Sequence, residues 1–557
     1  MRKHFFSFFI PILFFSYCVF ASDDIEQAAK ETNRDFGHEL LKTEQIMPVS
    51  TPMDISEPES TARKPQIQFR VSRIELIGCK SCMPSDFSSI TDRFKNRQIT
   101  LADLENLAKM IKNEYIRKGI LAAVIVPPQE IRDSAVIHII EARMGLLNYN
   151  EHPFFKFSRP GYYWQIEQNA VINYSDLKKS LHLVNKNPDR KAKATLHSGK
   201  APGTTDITLD IKTDFPMHIA TGYDNLGTPA TGTDKYNISL RHNNFLGLDD
   251  SFLTGRSFGD DFNGIYFFHT IPLNNKGTSF MYSYSYSRSF PKKQYRDLLI
   301  DSRAKNTGLY LRQDLFNQKG CTGEMYFGLD LKDKSTHTVN GTNSRDRLRI
   351  IRAGVNRIIK NTASVLYLNP ELSQGINGPG AVRQNNLSSG NTKNTFTKLN
   401  TTLQYKKRLS AALKTSLNLS AQLSSRRLAP QEQLSLGGPN SVRGYPSGDF
   451  LADYGGAANF ELYLPMFLLP GKIKLPGQKD PLASQSDLFI FYDFAKGYKK
   501  GNMAAEDISA ELSSVGIGLN IKLWNFLVRM AWGFPLGDRT RTESADSKFH
   551  LSVNFES

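Results

Sequence analysis

The feature that most constrains the fold is an alternation of apolar and polar residues that begins near Pro216 and continues almost to the end of the chain. It is clearest in residues 278–287, where aromatic side chains alternate mostly with serine, and it recurs in residues 413–423 and 549–555. A period of two is typical of β-strands with one apolar face. A soluble β-sandwich also alternates. Segments of about 10 residues that recur without a helical stretch favour an all-β transmembrane barrel over residues 215–557.

We count about sixteen such segments, an even number as single-chain bacterial barrels require. Their polar faces would line a lumen wide enough for an extended chain or a hairpin. The predicted segments start near residues 217, 235, 250, 264, 278, 307, 321, 347, 363, 395, 411, 456, 486, 511, 525 and 547.

The start of the chain predicts export. Residues 1–21 have the form of a signal peptide, with Arg2 and Lys3 before an apolar stretch and a small-residue cleavage site that ends at Ala21. An uncleaved anchor helix is the alternative, but the apolar stretch is short for a membrane span. A helical membrane protein is excluded because the apolar content is 40%, the mean hydropathy is −0.39 and no later apolar run reaches about 18 residues.

Residues 22–47 are predicted to form a short helix, and residues 48–66 a proline-rich, extended linker. The helix has a mildly apolar face and acidic residues at its start, where the helix dipole favours them. A short helix on a long tether can dock in a polar pore and leave it again. A flexible leader without a docking role is the alternative.

A first small α/β module is predicted over residues 67–144. One strand covers residues 69–77, and Thr100 caps a helix with an apolar inner face that ends near Gly119. Two further strands follow, the second ending at Glu141.

A second module is predicted over residues 145–214, with a helix over residues 174–184, Ser175 as a possible cap, and two strands after it. Such modules expose strand edges, to which an unfolded client can add itself as a further strand. A passive spacer is the alternative.

The chain has four cysteines, and Cys18 lies in the leader. Cys79 and Cys82 form a CxxC pair, for which a small disulfide is the simplest prediction in an oxidising compartment. A zinc or redox site is the alternative, but the pair lacks neighbouring His or Cys ligands. Cys321 lies in the lipid-facing series of the predicted barrel and is expected to act as a small apolar residue.

The formal net charge is +16, which is compatible with nucleic-acid binding, a cationic lumen or contact with anionic lipopolysaccharide. The positive residues are spread along the chain without a dense basic run, which favours the last two interpretations. The sequence contains no HExxH, GxSxG or phosphate-binding Gly-Lys motif. We therefore expect no enzyme activity, no cofactor, no metal and no nucleic-acid partner.

A loop rich in Gly and Pro, residues 434–445, and a later strand, residues 489–494, contain the best candidates for a functional contact. Arg443 lies in the loop, and Asp493 is a lone carboxylate in an otherwise apolar strand pattern. Inside a polar lumen, a bidentate ion pair between them would hold the loop where it folds inward. A solvated turn with a free arginine is the alternative.

These two stretches resemble a known family. Leu436-Gly437-Gly438 with Val442-Arg443-Gly444-Tyr445, and then Phe491-Tyr492-Asp493, resemble the loop and strand signatures of two-partner secretion transporters, the TpsB or ShlB/FhaC/HecB family. The loop motif is shared with the wider superfamily of outer-membrane assembly factors. The resemblance implies that the loop reaches back into the barrel, that Arg443 meets Asp493, that the two modules are POTRA domains, and that the N-terminal helix plugs the barrel.

The resemblance also implies a function. The protein would be an outer-membrane pore of a Gram-negative bacterium that exports a large TpsA-type exoprotein, such as a haemolysin or an adhesin, after the POTRA modules have recognised it. The barrel assembly machinery would insert it, although Phe555 is followed by Glu556-Ser557, whereas such barrels usually end on an aromatic residue. An assembly factor for other barrels is the alternative. The two-module count and the N-terminal helix favour the transporter, and a general porin would need neither.

Overall fold

The part of the chain that the structure describes begins at Gln68, and the structure is a computed structural model. The predicted signal peptide, the helix over residues 22–47 and the linker over residues 48–66 therefore lie outside the described residues. Two compact units divide between Phe215 and Pro216. Within the described part, no helix has both the length and the apolar character needed to cross a membrane. The described residues are 68–150, 154–155, 158–227, 231–290, 299–317, 321–338, 341–382, 392–466, 473–478, 481–501, 507–537 and 546–556.

The first module packs one long helix against a small sheet. The apolar face of the helix buries Leu104, Leu107, Ile111 and Tyr115 against the sheet. The strand order is β2–β5–β4, and β1 pairs separately with β3. The elements are β1 (Gln68–Val71), β2 (Arg73–Ile77), a 3-10 turn (Pro84–Phe87), α1 (Ser88–Thr91), a 3-10 turn (Asp92–Phe94), β3 (Arg97–Thr100), α2 (Leu101–Arg117), β4 (Ala122–Ile125) and β5 (Ser134–Glu141).

The structure corrects one predicted strand of this module and confirms one cap. The single strand predicted over residues 69–77 is two strands, because the chain turns from one sheet to the other at Ser72. The Ser72 amide and hydroxyl both donate to Asp133, at 2.8 Å to its carbonyl oxygen and 2.5 Å to its carboxylate. Thr100 is the helix cap as predicted, since its side chain accepts from the Asp103 amide.

The second module has its own core. It consists of β6 (Arg143–Tyr149), α3 (Ser158–Tyr163), α4 (Tyr174–Val184), β7 (Arg190–Ser198) and β8 (Thr204–Thr213), with the strand order β6–β8–β7. The predicted helix is confirmed, but its cap is Asn173 and not Ser175. The Asn173 side chain accepts from the Ser175 amide at 2.9 Å.

Backbone hydrogen bonds join the two modules directly. Ala142, the only residue between β5 and β6, donates to the Leu121 carbonyl and accepts from the Ile172 amide, both at 2.8 Å. The Tyr174 amide donates to the Gly119 carbonyl at 2.6 Å. These bonds leave little freedom at the junction, so the two modules form one unit.

The second unit is a closed antiparallel barrel of sixteen strands, as predicted. The largest differences from the predicted starts are at Asp301 and Gly341, where the strands begin about six residues earlier than expected. The wall strands are β9 (Met217–Asp224), β10 (Lys235–His242), β11 (Ser251–Gly259), β12 (Phe262–Pro272), β13 (Thr278–Ser289), β14 (Asp301–Asn317), β15 (Cys321–Thr338), β16 (Gly341–Lys360), β17 (Ser364–Gly375), β18 (Thr397–Arg408), β19 (Lys414–Ser424), β22 (Tyr454–Pro465), β23 (Ser486–Lys499), β24 (Ile508–Leu523), β25 (Phe526–Pro535) and β26 (Lys548–Glu556).

The connection between β19 and β22 contains three short elements that are not part of the wall. Two are the strands β20 (Leu434–Leu436) and β21 (Phe450–Ala452), which pair with each other, and one is the 3-10 helix Pro430–Glu432, all between β19 and β22. A further 3-10 turn, Leu482–Gln485, precedes β23. The barrel closes where β26 pairs with β9.

Burial identifies the two faces of the wall. On β23, Ile490 and Tyr492 are each 46% exposed, whereas Phe491 between them is 4% exposed and Asp493 is fully buried. The exposed, apolar series faces outward and the buried, more polar series faces the lumen. Cys321 shares the outward series with the exposed Met325, in agreement with the prediction.

A buried carboxylate stabilises the first module. Glu141 accepts from the Lys80 amide (2.9 Å), the Ser81 amide (2.7 Å), the Ser81 hydroxyl (2.6 Å) and the Tyr115 hydroxyl (3.3 Å). Burial acts to raise the pKa of Glu141, but the hydrogen bonds from Ser81 and Lys80 outweigh it and hold the pKa below its usual value. This contribution to stability is therefore present above the ordinary glutamate pKa and is lost as the pH falls through the lower pKa of the folded state.

We predict that Glu141→Gln destabilises the turn over residues 79–82 by about 1.5–3 kcal/mol, because a charged acceptor is replaced by a neutral amide. Amide hydrogen exchange of Lys80 and Ser81 in the full-length protein should become about tenfold or more faster at neutral pH. Glu130→Gln is the control, since that side chain is 88% exposed. Equal exchange in the two variants would contradict the prediction.

Candidate functional site

The candidate site is the stretch that connects β19 to β22, residues 425–453, here called the inward segment. It contains the 3-10 helix Pro430–Glu432 and the hairpin of β20 and β21. Most of its middle part is buried, including Glu432 and Val442, which have no exposed surface. Its partners are side chains of the inward-facing series of the wall, so the segment lies in the lumen.

Two glycines set the turn at the start of the loop. Gly437 and Gly438 have φ angles of +96° and +85°, which side chains with a Cβ rarely adopt. A Cβ on Gly437 would also lie 2.4 Å from the Pro446 carbonyl oxygen. The Gly438 amide donates to the carbonyl oxygens of Val442 and Tyr445, each at 3.1 Å, which closes the loop on itself.

Arg443 and Asp493 form the predicted bidentate pair. Arg443 Nε donates to Asp493 Oδ2 at 2.8 Å, and Nη2 donates to Oδ1 at 2.6 Å. The backbone amide of Arg443 adds a third bond to the same carboxylate, at 3.0 Å. The arginine is 2% exposed and the aspartate is fully buried, so the pair is shielded from water. Shielding and bidentate geometry both strengthen such a contact.

A second carboxylate and a second arginine complete the cluster. Arg443 Nη1 donates to Glu461, and Arg529 Nη2 donates to the same carboxylate oxygen at 2.6 Å. Asn459 bridges the loop and the wall, because its amide donates to the Ser441 carbonyl and, at 2.9 Å, to Asp493. Two arginines thus face two carboxylates.

Aromatic rings form the floor of the cluster. The Phe491 ring centre lies 3.6 Å from the guanidinium carbon of Arg443, and the Phe489 ring centre lies 4.6 Å from that of Arg529. Both distances suit cation–π attraction. Gly516 and Gly518 on β24 make room for the rings, since a Cβ on either would lie 2.3 Å or less from a ring atom.

Gly444 brings the loop backbone against the wall. A Cβ at Gly444 would lie 2.7 Å from the Pro535 nitrogen, and a Cβ at Gly533 would lie 2.7 Å from the Arg443 carbonyl carbon. The two backbones therefore touch at a point where neither residue can carry a side chain. His550 Nε2 donates to the Arg443 carbonyl oxygen at 2.7 Å.

Val442 and Tyr445 anchor the loop through apolar contacts. Both side chains are fully buried in one cluster, and the Tyr445 hydroxyl accepts from the Gly537 amide at 3.1 Å. The other buried members of this cluster are Leu436, Phe450, Ala452, Ala457, Ala495, Ala510 and Leu512. The structure thus brings Gly437, Gly438, Val442, Arg443, Gly444, Tyr445, Phe491 and Asp493 together.

Sequence reasoning missed the rest of the cluster. Asn459 and Glu461 are the polar positions of an alternating stretch, Ala-Asn-Phe-Glu-Leu, and Arg529 is the lone charge in β25. These lone polar residues on lumen-facing positions were the available signal. The sequence did not indicate which of them would meet Arg443.

Cys79 and Cys82 lie in the first module, far along the chain from this site, and both are free thiols in the structure. Burial raises the pKa of both thiols, which disfavours the reactive thiolate. The disulfide expected from their spacing stays a prediction. Among the described residues, no group of three or more His, Cys, Asp and Glu side chains is placed to hold a metal ion.

We predict that Asp493→Asn loosens the loop while the barrel stays folded. The substitution leaves Arg443 with a neutral partner in a buried place, a change that costs about 3–5 kcal/mol when one member of such a pair is lost. Amides 442–445 should exchange at least about tenfold faster in detergent-solubilised protein. Asp487→Asn is the matched control, because Asp487 lies on the same face of β23 but pairs with Lys414 at 3.0 Å. Unchanged exchange in Asp493→Asn would show that the pair does not hold the loop.

Comparison with known proteins identifies the family. Residues 203–521 match the family described as haemolysin secretion/activation protein ShlB/FhaC/HecB, and residues 69–141 match the ShlB-type POTRA domain. The chain is 23% identical over 392 residues to the outer membrane transporter CdiB of Dickeya dadantii, with 68% of each chain covered. It is 22% identical over 514 residues to the heme/hemopexin transporter protein HuxB of Haemophilus influenzae, with 89% of this chain and 88% of HuxB covered.

A solved structure of CdiB from Escherichia coli has the same fold, with a TM-score of 0.75 and 20% identity over 97% of this chain and 99% of that one. The family predicted from the loop and strand motifs is therefore confirmed. The chain belongs to the ShlB/FhaC/HecB family of haemolysin secretion/activation proteins and is a two-partner secretion transporter of the outer membrane of a Gram-negative bacterium.

Proposed function

We propose that this transporter exports a large exoprotein of the haemolysin or adhesin type, and that the clamped inward segment controls the path through the barrel. The observation that carries the proposal is a closed barrel of sixteen strands whose lumen holds a segment fixed by the buried Arg443–Asp493 pair. A pore for a polypeptide needs a polar wall and also a means of staying closed at rest.

The wall suits an unfolded chain. Five of the six lumen-facing positions of β13 are serines, including Ser279, Ser283 and Ser287, and the sixth is Met281. Small hydroxyl side chains provide hydrogen bonds without large apolar surfaces, so an extended client would slide past them without being held. No nucleotide supply exists in the periplasm, and folding of the client outside the cell would drive its passage.

The first module has a surface that suits client capture. Ile77, His138 and Ile125 are in register across β2, β5 and β4, so their side chains lie side by side on one face of the sheet. The two isoleucines are 49% and 48% exposed, and Ile140 on the same face is 41% exposed. β2 and β4 are the two edge strands of this sheet, so the row reaches both edges. A client segment that adds to an edge would gain backbone hydrogen bonds and cover the row.

Further partners follow from the outer surface. Exposed apolar side chains such as Ile517 and Trp532, which are 58% and 47% exposed, would contact lipid. The net charge of +16 would favour anionic lipopolysaccharide, and the barrel assembly machinery would insert the barrel.

No catalytic role is proposed, because the charged side chains of the site pair with one another. The N-terminal helix over residues 22–47 stays a predicted plug, and no observation favours the assembly-factor alternative.

We predict that Arg443→Ala lowers export of the partner at an unchanged level of folded barrel. Loss of the arginine leaves Asp493 and Glu461 without their shared cation, which shifts the inward segment away from its clamped position. The partner exoprotein in the medium, normalised to the heat-modifiable barrel band, should fall about tenfold or more.

Arg303→Ala is the matched control, since Arg303 lies on β14, is 46% exposed and pairs with Asp301 at 2.6 Å. Normal amounts of partner in the medium of the Arg443→Ala strain would refute the role of the loop. The partner gene would be sought as a neighbouring gene for a very long secreted chain.

A photo-cross-linking amino acid tests client capture by the first module. Placed at Ile125, it should capture the partner during export, because that side chain lies in the exposed row. Placed at Lys109, which is exposed on α2 on the other side of the sheet, it should capture little. Equal capture at the two positions would argue against the proposed docking face.

A further inference from the structure

A second cluster of buried charges holds the inward segment at a different arc of the wall. Its centre is Glu432, the last residue of the 3-10 helix, whose side chain has no exposed surface. Glu432 Oε1 accepts from Lys332 Nζ at 2.8 Å and from Arg352 Nη2 at 2.9 Å, and Oε2 accepts from Lys398 Nζ. These three cations come from β15, β16 and β18.

The wall residues of this cluster are themselves tied together. Arg352 Nε donates to Asp330 at 2.6 Å, and its Nη1 donates to Glu371 at 2.9 Å. Lys332, Lys398, Arg352 and Asp330 are all less than 10% exposed. With Glu432 in place, three cations face three carboxylates. Without it, three cations would face two carboxylates on the lumen side of the wall.

The backbone near Glu432 is held as well. Its carbonyl oxygen accepts from Gln422 Nε2 at 3.0 Å and from Lys398 Nζ at 3.2 Å. Just before it, Leu428 and Ala429 are buried against the wall residues Leu348, Ile350 and Phe396. The start of the inward segment thus has both charged and apolar contacts with β15–β18.

Asp453 ties the start of the inward segment to its end. Its carboxylate accepts from the Leu428 amide at 2.8 Å and from Gln433 Nε2 at 2.9 Å, and on its other oxygen from the Lys500 amide at 2.8 Å. Asp453 is fully buried. These bonds therefore link the start of the segment to the residue that directly precedes β22.

We propose that Glu432 is a second anchor of the inward segment, a positioning residue that fixes the segment to β15–β18 while Arg443 fixes it to β22 and β23. In the order of the barrel, these two groups of strands are separated by β19. The anchors have opposite charge, Glu432 bringing a carboxylate to wall cations and Arg443 a guanidinium to wall carboxylates. A segment held at two arcs cannot swing aside when one contact opens, and leaving the lumen requires both anchors to release.

The test is amide hydrogen exchange of the full-length protein in detergent, without any partner. Glu432→Gln should make the amides of residues 428–433, among which Pro430 has no N–H, exchange about tenfold or more faster, because three buried cations lose their shared carboxylate. Glu324→Gln is the matched control. Glu324 is also a buried glutamate on the lumen face of β15 and pairs with Arg312 at 2.5 Å, but none of the contacts described for it reach the inward segment.

Lys398→Met approaches the same contact from the wall and keeps the proposal testable if Glu432→Gln folds poorly. It should also loosen amides 428–433, to a smaller extent, since two cations remain. Exchange that equals wild type in the folded variants would overturn the assignment. In the double variant Glu432→Gln/Asp493→Asn, the backbone amides of residues 428–433 and of residues 442–445 should both lose protection from hydrogen exchange. A pattern of protection equal to that of either single variant would overturn the two-anchor arrangement.

The role of this anchor in transport rests on the proposed function, and a separate measurement distinguishes the two. Export of the partner by Glu432→Gln is compared with export by Glu324→Gln at equal barrel level. Reduced export together with faster exchange supports both the Glu432 anchor and the proposed control of the path by the inward segment. Faster exchange with normal export leaves the anchor established and overturns the proposed control of the path by the inward segment.

Discussion

The architecture of the lumen depends on one buried arginine. Arg443 carries five N–H donors on its guanidinium, and the site gives it two carboxylates on its edges and an aromatic ring on its face. Burying a charge is costly, and a buried ion pair is weak evidence for net stability. Its value is specificity, because the bonds from Nε, Nη1 and Nη2 to two wall carboxylates require one position of the loop. The contact therefore determines where the inward segment lies.

The wall is built around this contact. Phe491 can lie flat against the guanidinium because Gly516 on the next strand has no side chain in its place. Gly444 and Gly533 allow the loop backbone to touch β25. Asn459, Glu461 and Asp493 occupy facing positions on β22 and β23, and Asn459 is the direct register partner of Asp493. A sheet brings such residues together because paired positions point to the same side.

Different interactions stabilise the two units. The modules bury small apolar cores, such as the one around Leu104 and Ile111, and add a buried carboxylate at Glu141. In the described part of the barrel, the buried apolar clusters are smaller than the cores of the modules. Its outer face is apolar because its surroundings are lipid, its strands satisfy their backbone groups by closing on themselves, and its interior is held by ion pairs such as those of Arg443 and Glu432.

The repeating elements of this protein follow from local patterns along the chain. The period of two places each side chain of a strand on one face or the other, so sixteen strands and the orientation of residues such as Cys321 followed from local pattern. The helix cap at Thr100 and the turn at Gly437 are likewise local. The pair of Arg443 with Asp493 was predictable because each is a lone charge and because the motif resembles a known family.

Which charges meet depends on how the strands are arranged in the folded barrel. Glu461 and Arg529 are far apart in the sequence and share a site because β22 and β25 enclose the same part of the lumen. Glu432 and Lys332 are 100 residues apart in the sequence, with several strands between them along the chain, yet they form an ion pair. The division of residues 69–77 at Ser72 had the same origin, since Asp133 comes from a distant loop. Period and turn chemistry act over a few residues, whereas these contacts depend on the closure of the barrel and the docking of sheets, which a local pattern does not encode.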